Sequence, residues 1–374
     1  MIRPGQTIGI VGGGQLGRMF ALAARRMGYH VHVLDPTPDC PAAQAADAQT
    51  IAAYDDLSAA RNFAAGVDVV TFEFENVPSR TLAVIQELRV VRPSPFVLDT
   101  TRHRLREKKF LADNGFPVAP FRAIDGEAAL VQAIAALGTP CVLKTAEFGY
   151  DGKGQSKITS PDQAAAAWKS LDCPLGVLEG FVRFDKEISV IVARGPRGET
   201  RTFDPFENLH TNHILDTTLT PARVGPDLAK HAVDLAERIA RQIDLVGLLC
   251  VEMFVVGDSL VVNELAPRPH NSGHITNDAC VTSQFEQHLR AVCGLPLGDT
   301  ALLRPAAMAN LLGDLWQDGE PQWDRALADG RVKLHLYGKR SARPGRKMGH
   351  LNATAGTADE AGAIVRRARD ALKS

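Results

Sequence analysis

Apolar runs bounded by glycine and proline set the rhythm of this chain from its first residues. Ile8-Gly9-Ile10-Val11 is short, largely β-branched and continuous, the pattern of a strand buried on both faces. A helical period follows over 18–27 and stops at Gly28; 29–35 then returns to an apolar alternation that ends in Asp35. The order repeats once, with a helix over 55–65 and a strand over 67–72. Strand, helix and strand in alternation predict a parallel sheet covered by helices. Pro93-Ser94-Pro95 closes this first α/β unit.

Beyond it, 101–114 reads as a helix rich in charge, with Arg102, Arg104, Arg106, Lys108 and Lys109, and a solvated face explains most of these charges. Helices over 127–137 and 160–170 flank a strand over 140–144; strands over 176–182 and 185–193 follow. The amphipathic pattern over 226–243 is a long helix. Two apolar runs, 250–256 and 261–265, meet at Gly257-Asp258, a strong hairpin signal. After a helix over 283–293 the character changes to short strands (308–313 and 333–338) and a terminal helix over 358–373. The expected fold is multi-domain α/β (α+β): 1–98, 99–295 and a small β-rich unit over 296–374.

Composition narrows the class without changing this picture. The chain has 374 residues, is 45% hydrophobic and carries a net charge of −1, as ordinary soluble globular proteins do. That balance gives no reason to expect a nucleic acid or an anionic membrane as partner. No stretch approaches the ~20 apolar residues of a membrane span, and 8–11 reads as a strand rather than a signal peptide. A cytoplasmic location is the default. Six cysteines lie scattered in apolar runs without a C-x-x-C pair, which points to buried thiols.

Candidate chemistry clusters at strand ends. Gly12-Gly13-Gly14-Gln15-Leu16-Gly17 with Asp35 after the next strand has dinucleotide spacing, but a substrate phosphate would suit such a helix N-terminus equally. Glu73 and Asn76 end a strand of the same sheet, where ligands bind in open parallel sheets. Lys144 is last on an apolar strand, and a buried ammonium calls for an anion. The loop Glu147-Phe148-Gly149-Tyr150-Asp151-Gly152-Lys153-Gly154-Gln155 lacks Walker spacing and reads as a glycine flap over phosphates. Glu252 and Glu264 would lie side by side across the hairpin and repel each other unless a cation sat between them; Mg²⁺ is the usual one for such oxygens. His210 and His213 have a metal-like spacing but no third ligand, so a loop role is expected. The five positive charges over 339–347 suit a phosphate.

Together the strand-terminal lysine, flap, glutamate pair and Asn263-Glu264 resemble the ATP-grasp superfamily of carboxylate–amine ligases. The segments 12–19, 72–77, 148–155 and 263–274, the last ending Pro267-Arg268-Pro269-His270-Asn271-Ser272-Gly273-His274, are similar to those of the 5-(carboxyamino)imidazole ribonucleotide synthases. The resemblance runs over about 7–350. It implies a Rossmann-like domain for the ribonucleotide, a two-lobed ATP-grasp module with its small lobe over about 118–186, a β-rich domain completing the phosphate site, and a homodimer. The implied reaction carboxylates the exocyclic amine of 5-aminoimidazole ribonucleotide with ATP and bicarbonate through carboxyphosphate, giving ADP and phosphate.

The same resemblance distributes the residues. Glu252 and Glu264 would hold Mg²⁺ or Mn²⁺. Arg104, Lys144, Gly149, Tyr150, Asp151, Gly152, Lys153, Gly154, Gln155, His210 and Asn263 would contact ATP. Glu179, Gly180, Phe181 and Val182 would read adenine through the backbone, and Glu187 the ribose. Arg268 and His270 would grip bicarbonate, with Asn271, Ser272 and His274 lining that pocket and Tyr150 and Asp151 closing it. Gln15, Leu16, Glu73 and Asn76 would bind the ribonucleotide, and Lys339, Arg346 and Lys347 its phosphate. The rivals are a formate-dependent glycinamide ribonucleotide transformylase or biotin carboxylase, an NAD-dependent oxidoreductase built on the glycine turn, and a non-catalytic nucleotide-binding regulator.

Overall fold

A computed structural model describes residues 1–147 and 154–373. The N-terminal sheet has the order Ala48–Thr50, His30–Leu34, Thr7–Val11, Val69–Phe72, all parallel. The chain steps to one side of Thr7–Val11 and then to the other, so the switch point lies at the end of that strand. The helix Gln15–Arg26 packs Phe20 and Ala24 on one face of the sheet, while Leu57–Ala65 and Ser79–Gln86 cover the other. Gly9 sits mid-strand because a Cβ there would approach the Phe63 ring to 2.7 Å.

The central sheet has nine strands. Eight of them run in the order Ser259–Ala266, Gly247–Val256, Lys186–Arg194, Phe206–Thr211, Ile214–Thr220, Ala306–Leu312, Lys347–Thr354, Val332–Leu336; Thr200–Thr202 adds to Lys186–Arg194. Helix Pro226–Gln242 buries Leu235, Ala236 and Ile239 against one face. Helix Gln284–Cys293 lies on the other and places Phe285, Leu289 and Val292 in the core of the N-terminal domain. The strands after 305 continue this sheet rather than forming one of their own, because Ala306–Leu312 pairs with the otherwise open edge of Ile214–Thr220. A third sheet, Phe121–Ile124, Gly176–Gly180, Cys141–Thr145, Gln155–Ile158, carries the helices Glu127–Leu137 and Ala164–Leu171.

The hairpin of Phe206–Thr211 and Ile214–Thr220 has no apolar alternation to betray it. Its buried positions include Glu207, Asn208, Thr217, Thr218 and Thr220. All six cysteines are free, five of them buried.

The charged helix, Arg104–Asp113, departs from the solvated face expected of it. Glu107 and Lys108 are each only 1% exposed. Lys108 Nζ donates to the Asn263 carbonyl at 2.9 Å and lies 3.4 Å from Glu179 Oε2. Glu107 Oε2 accepts from the Leu265 N–H at 3.0 Å. The helix thus ties the small-lobe sheet to the hairpin strand. Burial pushes Glu107 up to about 8, with Glu264 adding to the shift and Lys108 opposing it. A carboxyl raised by folding stabilises through its protonated form, so its contribution is whole below about 4.5 and is lost as pH rises through about 8. Glu107→Gln should therefore flatten the fall of unfolding free energy across that window, read from urea midpoints; parallel curves for variant and wild type would refute the assignment.

Candidate active site

The hairpin sets Glu252 directly opposite Glu264 in an antiparallel register, which puts both carboxylates on one face of the sheet. Each has a cationic partner from the chain itself, where the sequence alone pointed to a shared metal ion. Glu252 Oε1 is 2.9 Å from His270 Nε2, and Glu264 Oε2 is 3.4 Å from Arg104 Nη1. Burial disfavours both charges of the first pair, but Cys250 and Glu252 outweigh it to raise His270, and His270 and His210 outweigh it to lower Glu252. Two hard oxygens on one face fit Mg²⁺ or Mn²⁺, which would complete its shell with water and phosphate oxygens. No cluster of three or more His, Cys, Asp or Glu with metal-binding geometry occurs among the described residues, so a purely protein-built cage is not present there.

A basic cluster borders the pair. Lys144 Nζ and Lys108 Nζ lie 3.1 and 3.4 Å from Glu179 Oε2. Burial opposes the charge of Glu179, yet Lys144, Lys108 and Arg104 together hold it near 2. The Glu179 side chain thus orders the lysines. The N–H groups of Gly180 and Phe181 already donate, to the Pro120 and Pro140 carbonyls; Val182 follows on the irregular stretch before the next strand. Glu187 pairs with His210 Nδ1. His213 sits in the tight turn after it with φ 65° and stands apart from any metal pair. Glu187, Asn208, Glu252, Phe254 and Asn263 line one crevice.

On the N-terminal side, the glycine turn already contains its anion. Glu73 accepts from the N–H of Gly14 at 2.6 Å and of Gly17 at 3.3 Å, at the start of helix Gln15–Arg26. Asp35 accepts from the Gly13 N–H at 2.7 Å and from the Tyr54 hydroxyl at 2.6 Å, and is 7% exposed. A Cβ on Gly13 would approach Cys40 Sγ to 2.3 Å. The glycines thus serve the close approach of protein carboxylates. These carboxylates take N–H groups that the spacing offered to a phosphate or to NAD. Leu16 points into the core, so only its backbone faces the turn; Gln15 and Asn76 are half-buried. Glu75, in the same segment as Glu73 but given no role from sequence, lies 2.9 Å from Arg268 Nε.

Ser272 and His274 stand behind His270 and are fully buried. The His274 ring packs among Phe285, Tyr337 and His350, with Nδ1 3.1 Å from Gln284 Nε2. Asn271 Nδ2 donates to Asn310 Oδ1 at 3.1 Å. The pocket wall from this run is therefore narrower than expected: Arg268 and His270 retain partial exposure. In the basic segment, Lys339 Nζ donates to the Lys347 carbonyl at 2.6 Å and Arg346 Nη1 to the Ser341 carbonyl at 2.8 Å. Gln44 Nε2 donates to the Gly338 carbonyl and Arg340 pairs with Asp39, which fold the segment onto the glycine-turn domain. Gly149, Tyr150, Asp151, Gly152 and Lys153 lie outside the described residues. At the foot of that loop the Thr145 N–H donates to the Gly154 carbonyl at 2.8 Å, and Gln155 pairs with Lys144. Glu107 and Lys108 carried no spacing or strand-end signal of their own and emerge only from their partners; Glu75 shares the strand end of Glu73 and Asn76.

Three family models match in chain order: the ribonucleotide synthetase preATP-grasp domain over 5–102, the ATP-grasp domain over 109–285 and the phosphoribosylaminoimidazole carboxylase C-terminal domain over 306–363. The N5-carboxyaminoimidazole ribonucleotide synthase of Brucella melitensis is 47% identical over 94% of this chain and 96% of its own length. That of Bacillus subtilis is 47% identical over 94% and 92%. The solved structure of the Aspergillus clavatus N5-carboxyaminoimidazole synthase with ADP and 5-aminoimidazole ribonucleotide superposes with a TM-score of 0.89, at 31% identity over 98% of both chains. With such likeness over nearly its whole length, the chain belongs to the N5-carboxyaminoimidazole ribonucleotide synthases of the ATP-grasp superfamily.

Proposed function

We propose that this cleft carboxylates the exocyclic amine of 5-aminoimidazole ribonucleotide with ATP and bicarbonate, the reaction of its family. The observation that carries the reading is one strand and its exit. Glu264 stands opposed to Glu252, and Arg268 and His270 follow four to six residues later; in this reading the glutamates serve the phosphate side and the later pair the carbon substrate.

Bicarbonate is a poor electrophile because it would expel hydroxide. Transfer of the γ-phosphoryl group of ATP to it gives carboxyphosphate, whose leaving group is phosphate, and the amine then attacks that carbon or the CO₂ released from it. The chain's part is positioning and charge neutralisation. Lys144, ordered by Glu179, neutralises the α/β phosphates; Lys153 covers the γ end; Arg104 is drawn from Glu264 to the nucleotide. Adenine is read by the 179–182 segment, at carbonyls and the Val182 N–H, since the two preceding N–H groups are bonded. Glu187 takes the ribose. Bound between Glu252 and Glu264, Mg²⁺ would supply neutralisation of the phosphate charge. Arg268 exchanges Glu75 for the planar oxyanion of bicarbonate, which has the same bidentate geometry. The ribonucleotide lies between Asn76 and Gln15 at the switch point, and Lys339, Arg346 and Lys347 hold its phosphate. The amine loses a proton as the carbamate forms. A cytoplasmic homodimer is the expected form, and no helix is long and apolar enough to cross a membrane among the described residues.

ADP release from ATP, Mg²⁺ and bicarbonate should rise on adding 5-aminoimidazole ribonucleotide; no stimulation would sink the assignment. Glu264→Gln should cut turnover by about a hundredfold or more with the fold intact by circular dichroism; retained turnover would remove Glu264 from the metal site. Arg268→Ala should raise the KM for bicarbonate about ten- to hundredfold and leave that for ATP nearly unchanged. Equal rises in both would move Arg268 to the nucleotide.

A further inference from the structure

Behind His270, a file of buried polar side chains crosses three strands of the central sheet. His270 Nδ1 is 2.9 Å from Ser272 Oγ. The Ser189 hydroxyl donates to Ser272 Oγ at 2.8 Å, Asn208 Nδ2 to Ser189 Oγ at 2.9 Å, and the Thr218 hydroxyl to Asn208 Oδ1 at 3.1 Å. Ser189, Ser272 and Thr218 are 0% exposed and Asn208 4%. Register locks the file to the catalytic face. Ser189 is opposite Glu252 on the neighbouring strand, and Asn208 is opposite both Glu187 and Thr218.

Four polar side chains in a core cost free energy that matched apolar residues at the same places would avoid. The rows beside them hold Ile188, Val190, Ile191 and Val192, so apolar residues fit this region. Bonding each group offsets the cost without explaining the choice. The file ends on the imidazole of His270, and Asn208 within it also borders the crevice beside Glu187 and Glu252. Ser272 engages Nδ1 while Glu252 engages Nε2, so the ring plane is held from both edges. The Ser272 hydroxyl can donate to a bare Nδ1 or accept from Nδ1–H, so the hold survives either protonation state. Glu252 meets the ring through Oε1.

We propose that Ser189, backed by Asn208 and Thr218 and acting through Ser272, is a positioning residue that aims His270 at bicarbonate and thereby couples ATP cleavage to carboxylation. The inference rests on the reading of His270 as a bicarbonate ligand. Ser272, expected from sequence in the pocket wall, becomes the last link of the file.

The test compares Ser189→Ala and Thr218→Val, which keep the packing shape nearly intact, with Thr218→Ser, which keeps the hydroxyl. His270→Gln is the control, and purified full-length enzyme is used throughout. Three quantities are read: KM for bicarbonate, KM for ATP, and ADP formed per carboxylated product. Ser189→Ala should raise KM for bicarbonate about three- to tenfold and push the ADP-to-product ratio above that of wild type, with KM for ATP within about twofold. Thr218→Val should shift the same two quantities by less, and Thr218→Ser should restore them. If Ser189→Ala and Thr218→Val lower the melting temperature or kcat but leave bicarbonate KM and the ratio at wild-type values, the file is structural and the proposal fails. If His270→Gln disturbs bicarbonate use and these variants do not, the file alone is refuted. If His270→Gln leaves bicarbonate use intact, the reading of His270 falls and the proposal with it.

Discussion

Two carboxylates held directly across a hairpin repel each other, and much of this site is an answer to that repulsion. The register that opposes Glu252 to Glu264 cannot slip by one residue without turning one of them to the other face. Strand pairing therefore decides the charge density of the site before any ligand arrives. The chain balances the pair with His270 on one side and Arg104 on the other. In the proposed reading both cations have second duties, His270 toward the carbon substrate and Arg104 toward the nucleotide. A divalent cation entering between the glutamates would weaken the hold on Arg104 and free it for phosphate, so metal and nucleotide binding are coupled by charge.

The same logic organises the rim. Lys108 and Lys144 share the buried carboxylate of Glu179, which leaves a net positive patch without leaving either ammonium unpaired. Helix Arg104–Asp113 carries three of the parties at once: Arg104 on Glu264, Glu107 on the Leu265 N–H, and Lys108 on the Asn263 carbonyl. A shift of this helix would move the end of strand Ser259–Ala266 with it. At the other end, Glu75 joins the switch-point loop to Arg268.

Burial inverted several readings that charge alone suggested. Glu73 and Asp35 look like ligand-facing acids, yet both cap backbone N–H groups of the glycine turn. The turn keeps the shape of a phosphate-binding loop and fills it with a protein carboxylate. This explains why dinucleotide spacing here does not lead to a dinucleotide site. His274 and Ser272, a few residues from Arg268 in sequence, face inward because the short 3-10 turn at Ser272–Ile275 curls the chain beneath His270.

Sequence by itself determined the parts whose signals are local. Alternating strands and helices at the start, the Gly257-Asp258 hairpin and the opposed glutamates, and the lysine ending an apolar strand were legible from period, turn chemistry and charge. So was the run after Asn263, where polar and ionisable groups crowd the exit of an apolar strand and mark a ligand-facing edge. Only the tertiary structure decided the rest, because it depends on partners distant in the chain. Lys108 is buried against Glu179, on a strand of another sheet, and Glu107 against Leu265. The hairpin of Phe206–Thr211 and Ile214–Thr220 carries a weak local signal because polar residues share its buried positions with Phe206, Leu215 and Leu219, and a hydrophobic pattern cannot register an Asn satisfied by a Ser on the next strand. Residues 306–354 join the central sheet through an edge that no local period reveals. Periodicity reports which face of an element is buried; which group meets it there is settled only when the strands are set side by side.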